Sequence, residues 1–523
     1  MRISTGQYFA TSTSTYTKNF SDTAKTQDQI SSGQRIQTAA DDPIGAAKLL
    51  QLRQQSGVLD QYSSNITSIN NALTTEESIL SSVTDALQRA QELTVQAGNG
   101  GLSDADRTSI ASEIQEIEEN VFGMLNSKDA NGSYLFAGSK SATAPYVRNS
   151  DATYSYQGDQ TQLSLQVSDG LSIATNDTGY GVFEQALNIS RTQTTLSSPA
   201  INDNRITLSA GQVASSSSYD KSFTEGQPYT LEFLSSTEFT VKDAKGNPVT
   251  DETSSKGLID PKNANGATIS LRGVDFQANV TLLDTDASAD ADSLIAGHTF
   301  TLTSKPDTIA TSRLPSNTST ARLGSSLVTD NKAYTTTFPS GGAVIKFTSP
   351  TDYQLFAAPV TDASKPVDSG TLTGSDITAA GVTFQVSGTP DTGDQFSLST
   401  RAPHTQNVLN TLSQLRQALL VPVTDAASSL GLKDAVASAL GNLSQASQQI
   451  DITRGAIGAR GASIDIQESE NANLALANKS SQSLIADTDY ATASIQLTLQ
   501  QSMLQAAQLS FAKISQLSLF DKL

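Results

Sequence analysis

From Leu59 to Ala90 the apolar positions alternate in spacings of three and four: Leu59, Tyr62, Ile66, Ile69, Leu73, then Leu80, Val83, Leu87 and Ala90, with Glu76 the polar exception. That spacing predicts a heptad seam on a helix of about fifty residues, about 75 Å long, starting near Leu52. Upstream, "SSGQRIQTAADDPIGAAKLLQLRQQ" (31–55) reads as one helix closing and another opening. Gly33 can take the left-handed conformation that ends a helix, Asp42 can cap the next, and Pro43 needs no N–H partner in a first turn. "GNGGLSDAD" (98–106) breaks the long helix, and Ser103 with Asp106 predicts a capping box for a second one carrying Ile110, Ile114, Ile117, Val121 and Met124. Strand-like alternation and turn residues take over at "NGSYLFAGSKSATAPY" (131–146).

The far end repeats the helical pattern. Val408, Leu412, Leu415 and Leu419 form a short stripe that stops at Pro422. Val436, Leu443, Ile450, Ile457 and Ile464 then recur every seven residues, and the track continues through Asn471 and Asn478 to Ile485. The simplest burial for both seams lays the two ends of the chain against each other, so that the middle protrudes. The rod seam is therefore expected at Tyr62, Ile66, Ile69, Leu73, Leu80, Val83, Leu87, Leu443, Ile450, Ile457 and Ile464.

The middle repeats itself. "LEFLSSTEFTV" (231–241) matches "IKFTSPTDYQL" (345–355), "GVDFQ" (273–277) matches "GVTFQ" (381–385), and "GHTFTLTS" (297–304) matches "GDQFSLST" (393–400), in the same order. Two tandem β-units are expected, near 205–304 and 320–401. The fold class is thus multidomain: a long α-helical, coiled-coil-like rod formed by N- and C-terminal segments, with an inserted β-rich outer region of two repeats. The expected divisions are 1–42, an N-terminal assembly helix; 43–190, rod helices and a β-hairpin region; 191–403, the β-rich insert; 404–488, C-terminal rod helices; and 489–523, a C-terminal assembly helix.

The outermost helices differ from the rods. Phe9, Thr13, Tyr16, Phe20, Thr23, Gln27 and Ile30 keep the spacing, but the stripe is dilute and "TSTSTYT" (11–17) is poor in helix formers. Ile495, Leu499, Met503, Ala506 and Leu509 run into "ISQLSLFDKL" (514–523). Short helices of this kind are marginal alone and are expected to order against a partner. Ile3, Phe9, Tyr16, Phe20, Ile30, Ile495, Leu499, Met503, Ala506, Leu509, Leu519 and Phe520 are the expected assembly positions.

Composition narrows the chemistry. The 523 residues carry a formal charge of −19, so a surface that tracks phosphates or inserts into an anionic membrane is not expected. There is no Cys and there are two His, which excludes disulfides, thiolate metal sites and a cysteine nucleophile. His298 and His404 lie far apart and read as ordinary polar residues. Serines occur without a nucleophile-elbow motif, and "GAIGARG" (455–461), inside the seam, reads as close helix packing rather than a phosphate loop. "DDP" (41–43) is explained by capping, and "DTDASADADS" (284–293) by a solvated loop. No catalytic, cofactor-binding or metal residues are expected. The start, "MRISTGQYFATSTSTYTKNF", lacks the apolar core of a secretory signal, and no segment approaches a membrane span.

With "SSGQRIQTAADDPIGAAKLLQLRQ" before a long heptad helix, the chain resembles the flagellin superfamily, and within it the proteins of the hook–filament junction. "MRIST", "AADDPIGAAKL", "YQGD" (156–159), "GYGVFEQA" (179–186) and the ending "QLSLFDKL" carry the resemblance, which covers roughly 1–190 and 404–523. It implies a non-enzymatic structural protein of the extracellular bacterial flagellum, exported through the flagellar type III channel without a cleaved signal. Its implied partners are further copies of itself in a ring, the preceding hook-associated junction protein, flagellin, and an export chaperone. A filament-forming flagellin is the nearest rival reading. A secreted adhesin with a helical stalk fits the β-repeats but not the paired terminal heptads.

Overall fold

The computed structural model describes residues 5–149, 152–200, 202–263, 266–281, 286, 290–314, 316–339, 342–361, 363–401 and 404–520. Helices α1 (Thr5–Ser32), α2 (Pro43–Ala97) and α3 (Asp104–Leu125) open the chain. Short helices α4 (Gly179–Phe183), α5 (Ser216–Ser218), α6 (Thr224–Gly226), α7 (Ala291–Ile295) and α8 (Asn331–Thr337) punctuate a strand-rich middle. Helices α9 (Val408–Leu419), α10 (Ala426–Ala486) and α11 (Tyr490–Phe520) close it. Two compact units share these elements: Met1–Leu73 with Ser164–Thr175 and Gly458–Leu523, and Thr74–Leu163 with Asn176–Ile457.

The helix boundaries follow from local chemistry. Gly33 sits at φ +70° after α1, and Asp42 Oδ1 accepts the Gly45 N–H at 2.9 Å to cap α2. Ser103 and Asp106 form the reciprocal capping box of α3.

In the first unit, Ile66, Ile69, Leu73 and Ile464 are buried, while Tyr62 is half-buried. The hairpin of β3 (Ser164–Ser168) and β4 (Leu171–Ala174) buries Val167 here. Two polar members of the seven-residue track hold it in register. Asn471 Nδ2 donates to Val167 O at 2.9 Å, and Asn478 Nδ2 to Leu52 O at 3.0 Å.

In the second unit, Leu80, Val83, Leu87, Ala90, Leu443 and Ile450 are sealed from solvent, with Ile457 nearly so. The seam is not closed by two helices alone: α3 and α9 pack together and bury Ile114, Val121, Leu125, Leu412 and Leu415. Leu125, not Met124, completes the core face of α3. Arg454 bridges α10 to Glu77 of α2 at 2.8 Å, and Arg416 Nε of α9 donates to the buried Glu118 of α3 at 2.9 Å. The Tyr154 hydroxyl donates to the other Glu118 oxygen at 2.7 Å, tying in the hairpin of β1 (Tyr146–Arg148) and β2 (Tyr154–Tyr156). Burial, with the Glu118 charge beside it, pushes the Tyr154 hydroxyl well above the usual phenol range.

The insert is built from antiparallel sheets. β5 (Thr192–Ser198), β6 (Ile206–Leu208), β7 (Gln212–Val213), β8 (Tyr229–Phe233), β9 (Phe239–Lys242), β10 (Ala267–Leu271), β11 (Val274–Val280) and β12 (Thr299–Ser304) come first. They form one sheet ordered β5-β12-β8-β9 and another ordered β10-β11-β6, with β7 beside β11. β13 (Thr308–Arg313), β14 (Arg322–Val328), β15 (Ala343–Phe347), β16 (Asp352–Ala357), β17 (Asp368–Thr371), β18 (Asp376–Ala379), β19 (Val382–Ser387) and β20 (Gln395–Arg401) follow. Their orders are β13-β20-β15-β16-β17 and β18-β19-β14. These strand orders parallel those of the first set, except that β17 is added and the single strand β14 stands beside β19 where β6 and β7 stand beside β11. Each set has its own core: Leu231, Phe233, Phe276 and Leu302 in the first, Ile345, Phe347, Phe384 and Leu398 in the second. Each sheet also takes in a strand before the expected start, β5 and β13, whose polar sequences gave little alternation to read.

A neck joins the first β-set to the helices. Leu187 bridges Thr405, Asn188 N–H donates to His404 O at 3.0 Å, and Gln406 N–H to Ala186 O at 2.9 Å. The Asn442 side chain of α10 accepts the Ile189 N–H at 2.9 Å. Beside it, Ile189 occupies the space where a Cβ on Gly441 would project, so this glycine permits close packing. The expectation of close packing at Gly455, Gly458 and Gly461 is corrected: a Cβ at any of them would meet open space. The neighbour that needs a glycine lies fourteen residues earlier, where the chain crosses back over the helix.

Candidate assembly interface

The two breaks in the terminal helices lie side by side within the first unit. Arg35 N–H donates to Ala486 O at 2.7 Å, Thr488 N–H to Gly33 O at 2.9 Å, and Arg35 Nη2 to Ile485 O at 2.9 Å. A side chain at position 33 would press on the Tyr490 hydroxyl. Lys25 pairs with Asp41 at 2.7 Å and, with the Thr38 N–H, holds that carboxyl well below the usual carboxylate range.

Beyond this elbow α1 and α11 pack against each other. The β-branched run in α1 is compatible with helix because its hydroxyls bond back one turn. Thr11 Oγ1 donates to Gln7 O, Thr13 to Phe9 O and Thr15 to Thr11 O, at 2.8–2.9 Å. Phe511 stacks near Tyr16, at 6.2 Å between ring centroids, and lies 5.4 Å from Phe9. Each terminal helix thus finds a partner in the other, within the same chain.

The face that α11 turns to α1 is not the stripe singled out above. Ala493 is buried, and Leu497, Gln500, Leu504, Ala507 and Phe511 are half-buried, at the same four-three spacing. Gln500 sits among them with its buried Oε1 unbonded, and that polar member hid the stripe. The other stripe is left open: Ile495 is 72% exposed, Leu499 54% and Leu509 68%, with Met503 and Ala506 exposed as well. On α1, Phe9 and Phe20 are exposed and Tyr16 and Ile30 half-buried. Ile3 lies outside the described residues. Leu519 and Phe520 lie on the last turn of α11, and their side chains are outside those described. α11 is thus apolar on two faces, and only one is covered by its own chain.

The polar candidates elsewhere resolve as structure. His298 is buried and bonded at both ring nitrogens, His404 is exposed, and Asp286 pairs with Arg205 at 2.9 Å. Among the described residues no cluster of His, Asp or Glu is placed to hold a metal ion, and no helix is long and apolar enough to cross a membrane. A cavity of about 200 Å³ lies where the first β-set meets α9 and α10, lined by Ser190, Lys305, Gln414, Asp434 and Asn442 among others. Burial lifts the Asp434 carboxyl to about 6 and lowers the Lys305 ammonium, while Lys305 Nζ donates to Ser190 Oγ at 2.6 Å.

The N-terminal part of the chain is similar to known proteins. The bacterial flagellin N-terminal helical region matches residues 3–141. Flagellar hook-associated protein 3 of Salmonella typhimurium is 38% identical over 183 residues, 35% of this chain and 57% of that protein. Its Escherichia coli namesake is 36% identical over 184 residues, again 35% of this chain and 57% of that protein. The chain therefore spans just over half the length of the curated relatives it matches. A crystal structure of flagellar hook associated protein-3 from Legionella pneumophila, 20% identical, covers 83% of this chain and 97% of that one at a TM-score of 0.48. The helix break at Gly33 and the cap at Asp42 both fall within the stretch that is similar to the bacterial flagellin N-terminal helical region.

Proposed function

We propose that this is a structural, non-enzymatic protein of the flagellum that joins hook-associated proteins to the flagellin filament. The observation that carries the reading is the open apolar face of α11, Ile495, Leu499, Met503 and Leu509, on a helix already paired with α1. An exposed stripe of this size is a cost to a lone chain and a seam for an assembly. The 36–38% identity to flagellar hook-associated proteins supports the flagellum as that assembly.

On this reading α1 and α11, with Ile3, Phe9, Tyr16, Phe20, Ile30, Leu519 and Phe520, meet neighbouring copies in a ring, the preceding junction protein on one side and flagellin on the other. The helices at 43–190 and 404–488 act as a coiled-coil-like rod, and 191–403 faces outward as a duplicated β-unit. The matched strand orders and the shared cores support the duplication. Export proceeds through the flagellar channel without signal cleavage, with a chaperone on the C-terminal helices beforehand.

Imaging flagella from a strain lacking the gene tests the function. Hooks without filaments and flagellin shed to the medium are expected; normal filaments overturn the junction reading. Growth of long filaments by the purified chain on seeds would favour a flagellin instead.

A further inference from the structure

The cavity between the first β-set and helices α9 and α10 brings an ammonium and a carboxylate to one enclosed space. Lys305 directly follows β12, and its backbone N–H donates to Arg191 O at 2.6 Å. Its Nζ gives one hydrogen to Ser190 Oγ at 2.6 Å, and among the described residues the other two have no acceptor. Asp434 stands on α10. Its Oδ2 accepts the Ala210 N–H at 2.9 Å, and among the described residues Oδ1 accepts nothing. The two charges therefore face one cavity without closing an ion pair on each other. The Ser438 hydroxyl and the Gln414 amide line the same space, and Leu415 and Ala439 give it an apolar side.

Charges taken out of water are costly unless they are paired and fully hydrogen-bonded. That cost shows on both groups: burial lowers the Lys305 ammonium and lifts the Asp434 carboxyl, and their mutual attraction offsets only part of it. A metal ion entering the cavity would meet the ammonium, and a simple anion would meet the carboxylate. A neutral polyol would leave both charges uncompensated. A molecule with a carboxylate at one end and an ammonium at the other complements both. At about 200 Å³ the cavity lies below the ~300–1,000 Å³ of sites for drug-sized ligands, so its occupant has few heavy atoms. We propose that this cavity binds a small amino acid as its zwitterion, with the carboxylate on Lys305 and the ammonium on Asp434.

The walls are set by contacts that the ligand does not need. Ala210 is fixed on Asp434, and the Ile189 N–H, next to Ser190, is held by Asn442 Oδ1 at 2.9 Å. Both charges thus stand in place beforehand, and little ordering is left for binding to supply. Lys305 belongs to the β-set and Asp434 to α10, so a bound zwitterion ties the two together. Of the charges around Asp434, Lys305 is the one that favours its ionised form. The carboxyl titrates at about 6, and it is as the carboxylate that it accepts the ligand ammonium.

Ligand-observed NMR on the full chain measures this with L-alanine and β-alanine, which differ in the spacing of their charges, and with acetate and ethylammonium as their separate halves. At about pH 8 at least one of the two amino acids is expected to saturate the site, and each half to bind about tenfold more weakly or worse. Asp434→Asn and Lys305→Gln should each weaken the amino acid about tenfold. From about pH 8 to about pH 5 the affinity should fall about tenfold as Asp434 takes up its proton, and Asp434→Asn should flatten that profile. The ligand should also raise the melting temperature of the unsubstituted chain and not that of Asp434→Asn. Failure of both amino acids to saturate overturns the site, as does acetate binding as tightly as either. Undiminished binding by Asp434→Asn overturns it too. If Lys305→Gln does not fold, Asp434→Asn decides, since it removes a buried charge and keeps the side-chain shape.

Discussion

The seam at Leu80–Leu87 and the stripe at Ile495–Leu509 have nearly the same spacing, yet the first is sealed and the second lies more than half open. The difference is in the neighbours. α2 meets α10 at Glu77–Arg454, and α3 and α9 supply the rest of that core. α11 packs against α1, which covers one of its two apolar faces. Heptad spacing thus records that a surface is to be covered, while the number of helices in the chain decides whether the cover comes from within.

The comparison breaks most visibly if the sealed seam tolerates charge. Leu80→Asp is expected to lower stability by several kcal/mol, on the order of 3–5, because the carboxylate has no partner there. Denaturant unfolding of the purified chain measures it, and a loss under 1 kcal/mol would deny the seam its role. Glu118→Ala should cost about 2–4 kcal/mol, since Arg416 and the Tyr154 hydroxyl lose their shared acceptor.

Asp434 sharpens the contrast from the other side, because there burial itself is unfavourable. Its folded-state value, about 6, lies above the ordinary aspartate value of 3.8. Folding is therefore favoured with the group protonated, and stability falls as pH rises from about 4 through about 6. Asp434→Asn should raise stability at about pH 8 by about 1–2 kcal/mol, allowing for partial exposure, with the gain vanishing below about pH 4. Melting curves at both pH values decide it. The smallest expected effect is at the open stripe: Leu499→Ala with Met503→Ala should shift monomer stability by less than about 0.5 kcal/mol. On the proposed junction role, the same pair should abolish attachment of filament to hook. A large loss of monomer stability would place the stripe inside the fold.

The long helices, their caps and the sealed seam were legible because heptad spacing and Gly, Pro, Ser and Asp at helix ends act locally. Leu443, Ile450 and Ile464 needed no knowledge of their partners. The core strands around Phe233, Phe347, Phe300 and Phe396 were legible, but β5 and β13 are Ser/Thr-rich, and only pairing with β12 and β20 makes them strands. On α11 the stripe that was read is the exposed one, while the face on α1 was masked by Gln500 and anchored by Phe511. The glycines of α10 were misassigned because a sequence shows where a side chain is missing, not which neighbour uses the space.

The neck has a mechanical consequence. Its entering strand at 186–188 and leaving strand at 404–406 run antiparallel, and the whole insert hangs from one end of that pair. A pull on the insert, such as drag from moving liquid, therefore runs through both chains together, and the bonds between them carry little of it. What resists bending at the joint is whatever clips the pair to the helices. Asn407, donating to Glu184, and Asn442, accepting from Ile189, are placed as clips. The stiffness with which the insert is held on the helices should follow these two side chains more closely than the length of the strand pair.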